Sequence, residues 1–252
     1  MKNEKYKVLE TLDARAQEIE VLINSEQEKT IYSKVIDSID RKSFSVFQQG
    51  YKDDLENFDP EGMFKYCDLP YWFRSNLRRV INLDLQNSKQ LKILDIGIGP
   101  GHFAAICNSY GHQTMGIDLD IPFYNDLCKV LGVDRRIQRV DAGVLLPSFG
   151  VKFDLVTIMW QSFDIKKFHQ DGTRTYWDNE DWFFLFNDFC QNHLEPGGAI
   201  FVELNQQKYN QDTYLGFDKN LMFACKDLGA DVNTELGSIF FRQTSREMFK
   251  KK

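Results

Sequence analysis

The sequence lacks a long apolar run. Hydrophobic residues make up 42% of its 252 positions and are interrupted by charged residues, 27% of the total. No stretch approaches the roughly 20 apolar residues of a membrane span. The opening "MKNEKYKVLETLDARAQE" also lacks the apolar core of a signal peptide. A soluble, cytoplasmic protein is the expectation. Cysteine is sparse, with five scattered residues and no CxxC or comparable metal-ligand spacing, which predicts reduced, buried thiols and no metal. Basic charge is not in excess: the net charge is −6. A nucleic-acid partner is disfavoured, because neutralising phosphates needs a basic surface. The terminal "REMFKKK" reads as a solvated tail. There are no internal repeats and no low-complexity segments. A chain this long buries roughly 70–75% of its unfolded surface without staples.

Aromatic residues are plentiful, at 14% with 21 Phe, which suits a thick core or an aromatic-lined pocket. Residues 1 to about 45 read as helix, with Leu9, Leu12, Ala16, Ile19 and Ile23 on one face. That seam either packs on the rest of the chain or pairs with a second copy as a homodimer. A second helix is expected from Trp72 to Leu85. From Lys92 onward strand-like and helix-like segments alternate. Strands are predicted at 92–96, 113–117, 137–140, 153–159 and 199–204, and helices at 101–110, 122–131 and 180–194. "ADVNTELGSIFFRQT" reads as a closing hairpin about Gly237-Ser238. The fold class is therefore α/β, a Rossmann-like, mostly parallel seven-stranded sheet with a terminal antiparallel hairpin and an N-terminal helical extension. The domain division expected is 1–88 for the helical segment, serving packing, oligomerisation or substrate capping, and 89–252 for the α/β domain. Between the third and fourth strands "DAGVLLPSFGVK" is near the minimum for a crossover, so its helix is a single turn or missing.

The stretch that carries chemistry is "LDIGIGPGH", residues 94–102. Glycines at the end of a strand and before a helix let backbone approach a ligand and present free N–H groups. A dinucleotide fingerprint would need glycine where His102 stands. Here Gly97, Gly99 and Gly101 alternate, and Asp95 before them suits a ligand bearing an ammonium group. Asp118 ends the second strand about twenty residues on, where a carboxylate accepts hydrogen bonds from ribose hydroxyls. Asp141 and Ala142 follow the third strand, placed for the exocyclic amine of an adenine.

In order, "ILDIGIGPGH", "GIDLD", "RVDAG", "FDLVTIMW" and "LEPGGAIFVELN" resemble the class I S-adenosylmethionine-dependent methyltransferases over about residues 90–245. The resemblance implies S-adenosylmethionine as cofactor, with S-adenosylhomocysteine as product. It implies that the three glycines hold the methionine end, Asp118 the ribose and Asp141 the adenine, with Met159 and Trp160 beside the methyl group. "DGTRTYWDNEDWFFLFNDF" followed by "LEPGGAIFVELN" resembles a group from bacterial surface-polysaccharide gene clusters, those of capsule and O-antigen modification.

Methyl transfer to a hydroxyl needs alignment and, in addition, removal of a proton. The long polar segment after the fourth strand offers His169 and Asp164 as candidate bases, against the plainer readings of a loop histidine and a solvated acid. Glu203 and Asn205, at the end of the fifth strand, could touch the acceptor or simply edge the core. Tyr66, Tyr71, Trp72 and Arg74 could wall the pocket, Arg74 meeting an anion, or serve packing and surface roles. Tyr176, Trp177 and Trp182 are expected to be mainly packing. No Asn/Asp-Pro-Pro-Tyr/Phe follows the fourth strand, and "TIMWQS" carries no acid for a metal. The expected activity is O-methylation of a small polar or anionic acceptor such as a sugar, a sugar nucleotide or a phosphoramidate-type metabolite, in surface-polysaccharide biosynthesis. The alternatives are a non-catalytic cofactor-binding scaffold and an NAD-dependent dehydrogenase.

Overall fold

The structure is a computed structural model in which residues 5–208 and 213–249 are described. The described residues fall into two compact units, one drawn from those up to 90, 99–116 and 120–136, the other from 91–98, 117–119 and those from 137 onward.

The first unit opens with four helices, α1 (Leu12–Glu20), α2 (Glu26–Ser38), α3 (Arg41–Gly50) and α4 (Lys52–Glu56). Thr11, Ser25 and Asp40 cap the first three by accepting amide hydrogens, so the single long helix expected over 1–45 is divided at capping residues. A 3-10 turn at Met63–Cys67 leads into α5 (Leu69–Asn82). This helix begins three residues before the expected Trp72, because Asp68 accepts the Tyr71 amide and Pro70 occupies its first turn. Leu12, Ala16, Ile19 and Ile23 are buried, while Leu9 is exposed ahead of the helix. The seam offered for dimer pairing is thus consumed within the chain. Arg15 and Asp68 form a buried ion pair at 2.8 Å, and Asp68 also accepts the Lys7 amide. One carboxylate thereby joins the N-terminal strand of chain, α1 and α5.

The α/β portion runs β1 (Lys92–Ile96), α6 (His102–Ser109), β2 (Gln113–Asp118), α7 (Pro122–Val130), β3 (Asp134–Ile137) and β4 (Phe153–Met159). After β4 come a small hairpin of β5 (Ile165–Phe168) and β6 (Arg174–Tyr176), then α8 (Asn179–Asp188) and a π-helical turn at Phe189–His193. The chain continues with β7 (Leu194–Glu203), a second hairpin of β8 (Gln207–Lys208) and β9 (Tyr214–Gly216), then α9 (Lys219–Asp227), β10 (Asp231–Asn233) and β11 (Ser238–Phe241). Seven strands make one sheet in the order β10-β11-β7-β4-β1-β2-β3. Pairing is parallel between β1 and β4 and between β4 and β7, and antiparallel between β7, β11 and β10. This is the expected fold class.

Two strands differ from expectation. The third lies at 134–137 rather than 137–140, because the Gln138 amide donates to the Asp118 carbonyl and the chain then leaves the sheet. The fifth starts at Leu194, the "LEPGG" bend being taken up as an irregularity in register with β4. Neither small hairpin nor α9 was anticipated. The link 141–152 has no helix. It is pinned instead by buried Asp188, whose carboxylate accepts the Leu146 amide at 2.9 Å beside His193. Trp182, Phe186, Phe241 and Phe249 form an aromatic core against the sheet. Trp177 and Trp182 are buried, in keeping with a packing role.

Candidate active site

The second unit carries the carboxyl ends of β1, β4 and β7. Asp95, second to last in β1, is buried and accepts a 2.7 Å hydrogen bond from the Thr157 hydroxyl, its register partner on β4. Gly97 follows at φ +73°, with its amide bound to the Ile117 carbonyl. A side chain added there would begin 3.4 Å from the Cβ of Gln161, and the positive φ is what requires glycine. Asp118 closes β2, and one of its carboxylate oxygens accepts the Leu119 amide. Asp141 is exposed and ion-paired with Arg139 at 2.7 Å, while Ala142 beside it is half-buried.

The turn leaving β4 is unusual. Met159 is half-buried in register with Glu203. Trp160, which is not glycine, sits at φ +51° with its amide bound to the Glu203 carbonyl. A left-handed conformation costs an ordinary residue about 1–2 kcal/mol, and such strain gathers at working sites. Gln161 comes next. Its carbonyl accepts from the Asn205 amide at 2.6 Å, yet its own side-chain oxygen and nitrogen, both buried, have no partner. Each such orphan costs about 1–3 kcal/mol in a fold that leaves it unmatched. Glu203 is buried at the end of β7. Sequence reasoning named Asn205 and missed Gln161. Its only sequence signal was position, two residues past a strand that ends at the ligand side.

Asp164, three residues further, is 5% exposed. Burial pushes its carboxyl up from the ordinary 3.8 to about 7, and the negative charge of Asp218 adds to the rise while its own amide opposes it. The Trp177 amide holds its backbone carbonyl. His169 sits instead at the tip of the β5–β6 hairpin, bound to the Thr175 hydroxyl. The Tyr176 hydroxyl donates to the Lys208 carbonyl and accepts the Lys208 amide, which ties the two small hairpins together.

In the first unit Gly99 and Gly101 have φ +55° and +81°. A Cβ on Gly101 would stand 2.9 Å from the Cys128 sulfur. His102 opens α6, buried, and its Nε2 donates to the Tyr66 carbonyl. Burial holds its pKa down near 4, so the ring is neutral. Trp72 stacks near it at 6.0 Å and Tyr66 packs on Trp72 at 4.6 Å, so these two residues of the N-terminal segment meet the helix that follows the glycines. Tyr71 packs with Tyr6 away from His102, and Arg74 donates to the Leu22 carbonyl beyond α1.

A recess of about 880 Å³ lies in the second unit, lined by Gly143, Glu180, Phe183, Phe184 and Phe249 among others, and none of the candidate site residues lines it. Among the described residues no cluster of three or more His, Cys, Asp or Glu could hold a metal, and no helix is long and apolar enough to cross a membrane.

No protein-family model matches the sequence, and no curated protein matches it. Among solved structures it is similar to the glycopeptide N-methyltransferase MtfA complexed with sinefungin, with 15% identity, TM-score 0.38 and coverage of 53% of this chain and 54% of that one. It is also similar to the PH0226 protein from Pyrococcus horikoshii OT3, with 17% identity, TM-score 0.40 and coverage of 63% and 62%. A third is CalS10, an amino pentose methyltransferase from Micromonospora echinaspora bound to SAM, with 16% identity, TM-score 0.39 and coverage of 64% and 56%. The chain thus spans about half to three fifths of the length of these structures.

Proposed function

We propose that the protein is an S-adenosylmethionine-dependent O-methyltransferase. Its acceptor is a small polar or anionic molecule such as a sugar, a sugar nucleotide or a phosphoramidate-type metabolite, and its setting is capsule or other surface-polysaccharide biosynthesis. The order of motifs supports the cofactor, and the sequence of residues 171–189 supports the setting. The observation that carries the reaction type is Asp164, a buried carboxyl poised near neutrality on the segment that leaves β4. A base works best with a pKa near the working pH, and a hydroxyl acceptor is the kind that needs one. The antiparallel β11 beside β7 departs from the all-parallel order of a dinucleotide-binding sheet, which disfavours a dehydrogenase.

The residues present fit the cofactor. Gly97 lies beside a buried, unmatched amide, and Asp118 ends β2, the position from which a carboxylate accepts ribose hydroxyls in nucleotide-binding sheets. Bound S-adenosylmethionine would supply a methyl group on a positively charged sulfur. Asp118 would hold the ribose, Asp141 and Ala142 the adenine, and Met159 and Trp160 would flank the reacting group. Asp164 would take the proton of the acceptor hydroxyl. Glu203 and Asn205 orient the acceptor.

Calorimetric titration with S-adenosylhomocysteine, with NAD as control, tests the reading. Micromolar binding of the former alone is expected, and methyl-acceptor screening of sugar nucleotides and phosphoramidates should then find a substrate. Binding of NAD alone would overturn the assignment.

A further inference from the structure

Gln161 is fixed in backbone and unmatched in side chain. The Asn205 amide donates to its carbonyl, the residue before it is held to β7 through the Trp160 amide, and its Cβ faces the position where a Gly97 side chain would begin. The residue is 5% exposed, and neither its amide nitrogen nor its amide oxygen has a partner. A carboxamide offers two donors and an acceptor. An anion alone would satisfy the nitrogen and leave the oxygen stranded, and an ammonium group alone would do the reverse. A group carrying both, an α-amino carboxylate, matches the two ends at once.

We propose that the Gln161 carboxamide reads the zwitterionic amino-acid end of the cofactor, its nitrogen donating to the carboxylate and its oxygen accepting from the ammonium. The assignment rests on the S-adenosylmethionine reading above and adds a specificity residue to it. Gly97 lies directly beside it, with the position of a Gly97 Cβ 3.4 Å from the Gln161 Cβ. Asp95 on β1 accepts from Thr157 through one carboxylate oxygen, and a carboxylate accepts more than one hydrogen bond, so the amide adds to the role expected of Asp95 at that end.

The test compares two ligands on the full chain. S-adenosylhomocysteine carries the amino-acid end, and 5′-methylthioadenosine lacks it. Gln161→Met keeps the length of the side chain and removes both polar atoms. It should weaken S-adenosylhomocysteine binding roughly 10- to 100-fold, the loss of a charge-assisted hydrogen bond or two. Binding of 5′-methylthioadenosine should change less than about threefold, and the melting temperature should stay level or rise, since two buried orphans are gone. Gln161→Glu should also discriminate against S-adenosylhomocysteine, because its charge meets the ligand carboxylate. Equal losses for both ligands would overturn the proposal in favour of a general supporting role. Unchanged S-adenosylhomocysteine affinity with a raised KM for acceptor would overturn it in favour of acceptor binding. Failure of the unsubstituted protein to bind either ligand would instead remove the cofactor reading beneath it.

Discussion

The turns that leave β1 and β4 solve the same problem in opposite ways. After β1 the chain takes left-handed conformations with glycine at 97, 99 and 101, and its polar groups are engaged: the Gly97 and Ile98 amides by Ile117, the Gly99 carbonyl by Arg135, and the Asp95 carboxylate by Thr157. After β4 a tryptophan takes the left-handed position, a glutamine amide is orphaned, and an aspartate is buried far from its ordinary pKa. In the first turn these groups are held without a ligand. The second carries a left-handed tryptophan and an unmatched buried amide, the kind of cost that gathers at working sites. The contrast assigns shape to the first turn and chemistry to the second.

The contrast would break most visibly at Asp164. Asp164→Asn should cut turnover by roughly 10²–10⁴-fold while S-adenosylhomocysteine affinity holds, and the rise of kcat through about pH 7 should vanish from the pH profile. The same substitution should make the fold more stable at alkaline pH. The folded-state pKa is raised from 3.8 to about 7, so the native state binds the extra proton between those values. Stability therefore falls as pH rises through that window, by up to about 4 kcal/mol. Denaturant melts of both forms at pH 4 and pH 8 would show it, and a gap that does not widen with pH would refute it. Asp118→Ala should weaken S-adenosylhomocysteine about 10- to 100-fold by calorimetry with the melting temperature unchanged. Gly101→Ala puts a methyl against Cys128 in a conformation alanine resists, and should cost about 2 kcal/mol of stability. Trp160→Gly should do the reverse, gaining up to about 1 kcal/mol while turnover falls. A loss of stability there would mean that the turn is not strained. Smallest of all, His169→Ala should move stability by no more than about 0.5 kcal/mol and leave turnover nearly intact, because His169 bonds only within its own hairpin tip.

The first turn was the legible one. "LDIGIGPGH" states its conformation through glycine, and the strands flanking it, at 92–96 and 153–159, were readable to the residue because short apolar runs between breakers have few alternatives. Asp164 was a candidate in the sequence, but nothing local distinguished it from a solvated acid; its burial is made by distant chain. Gln161 was silent, since an orphaned amide is defined by what does not surround it. The β5–β6 hairpin was missed because "IKKF" and "RTY" are polar and short, held by each other rather than by a core. The third strand was placed three residues late because apolar Val140 drew it downstream, whereas the ladder ends once the Gln138 amide reaches the Asp118 carbonyl. The N-terminal helices were merged because their seam continues across the caps.

The link between β3 and β4 has a consequence for the order of assembly. A crossover helix could form by itself and carry its hydrogen bonds with it. This link instead depends on Asp188, 42 positions later in the chain, for the bond to the Leu146 amide, so it cannot settle until α8 is in place. Long-range closure of this kind comes late in folding. The Leu146 amide should therefore be among the last in the second unit to become protected in pulse-labelled hydrogen exchange, after those of β4 and β7, although all three end up in the same folded body.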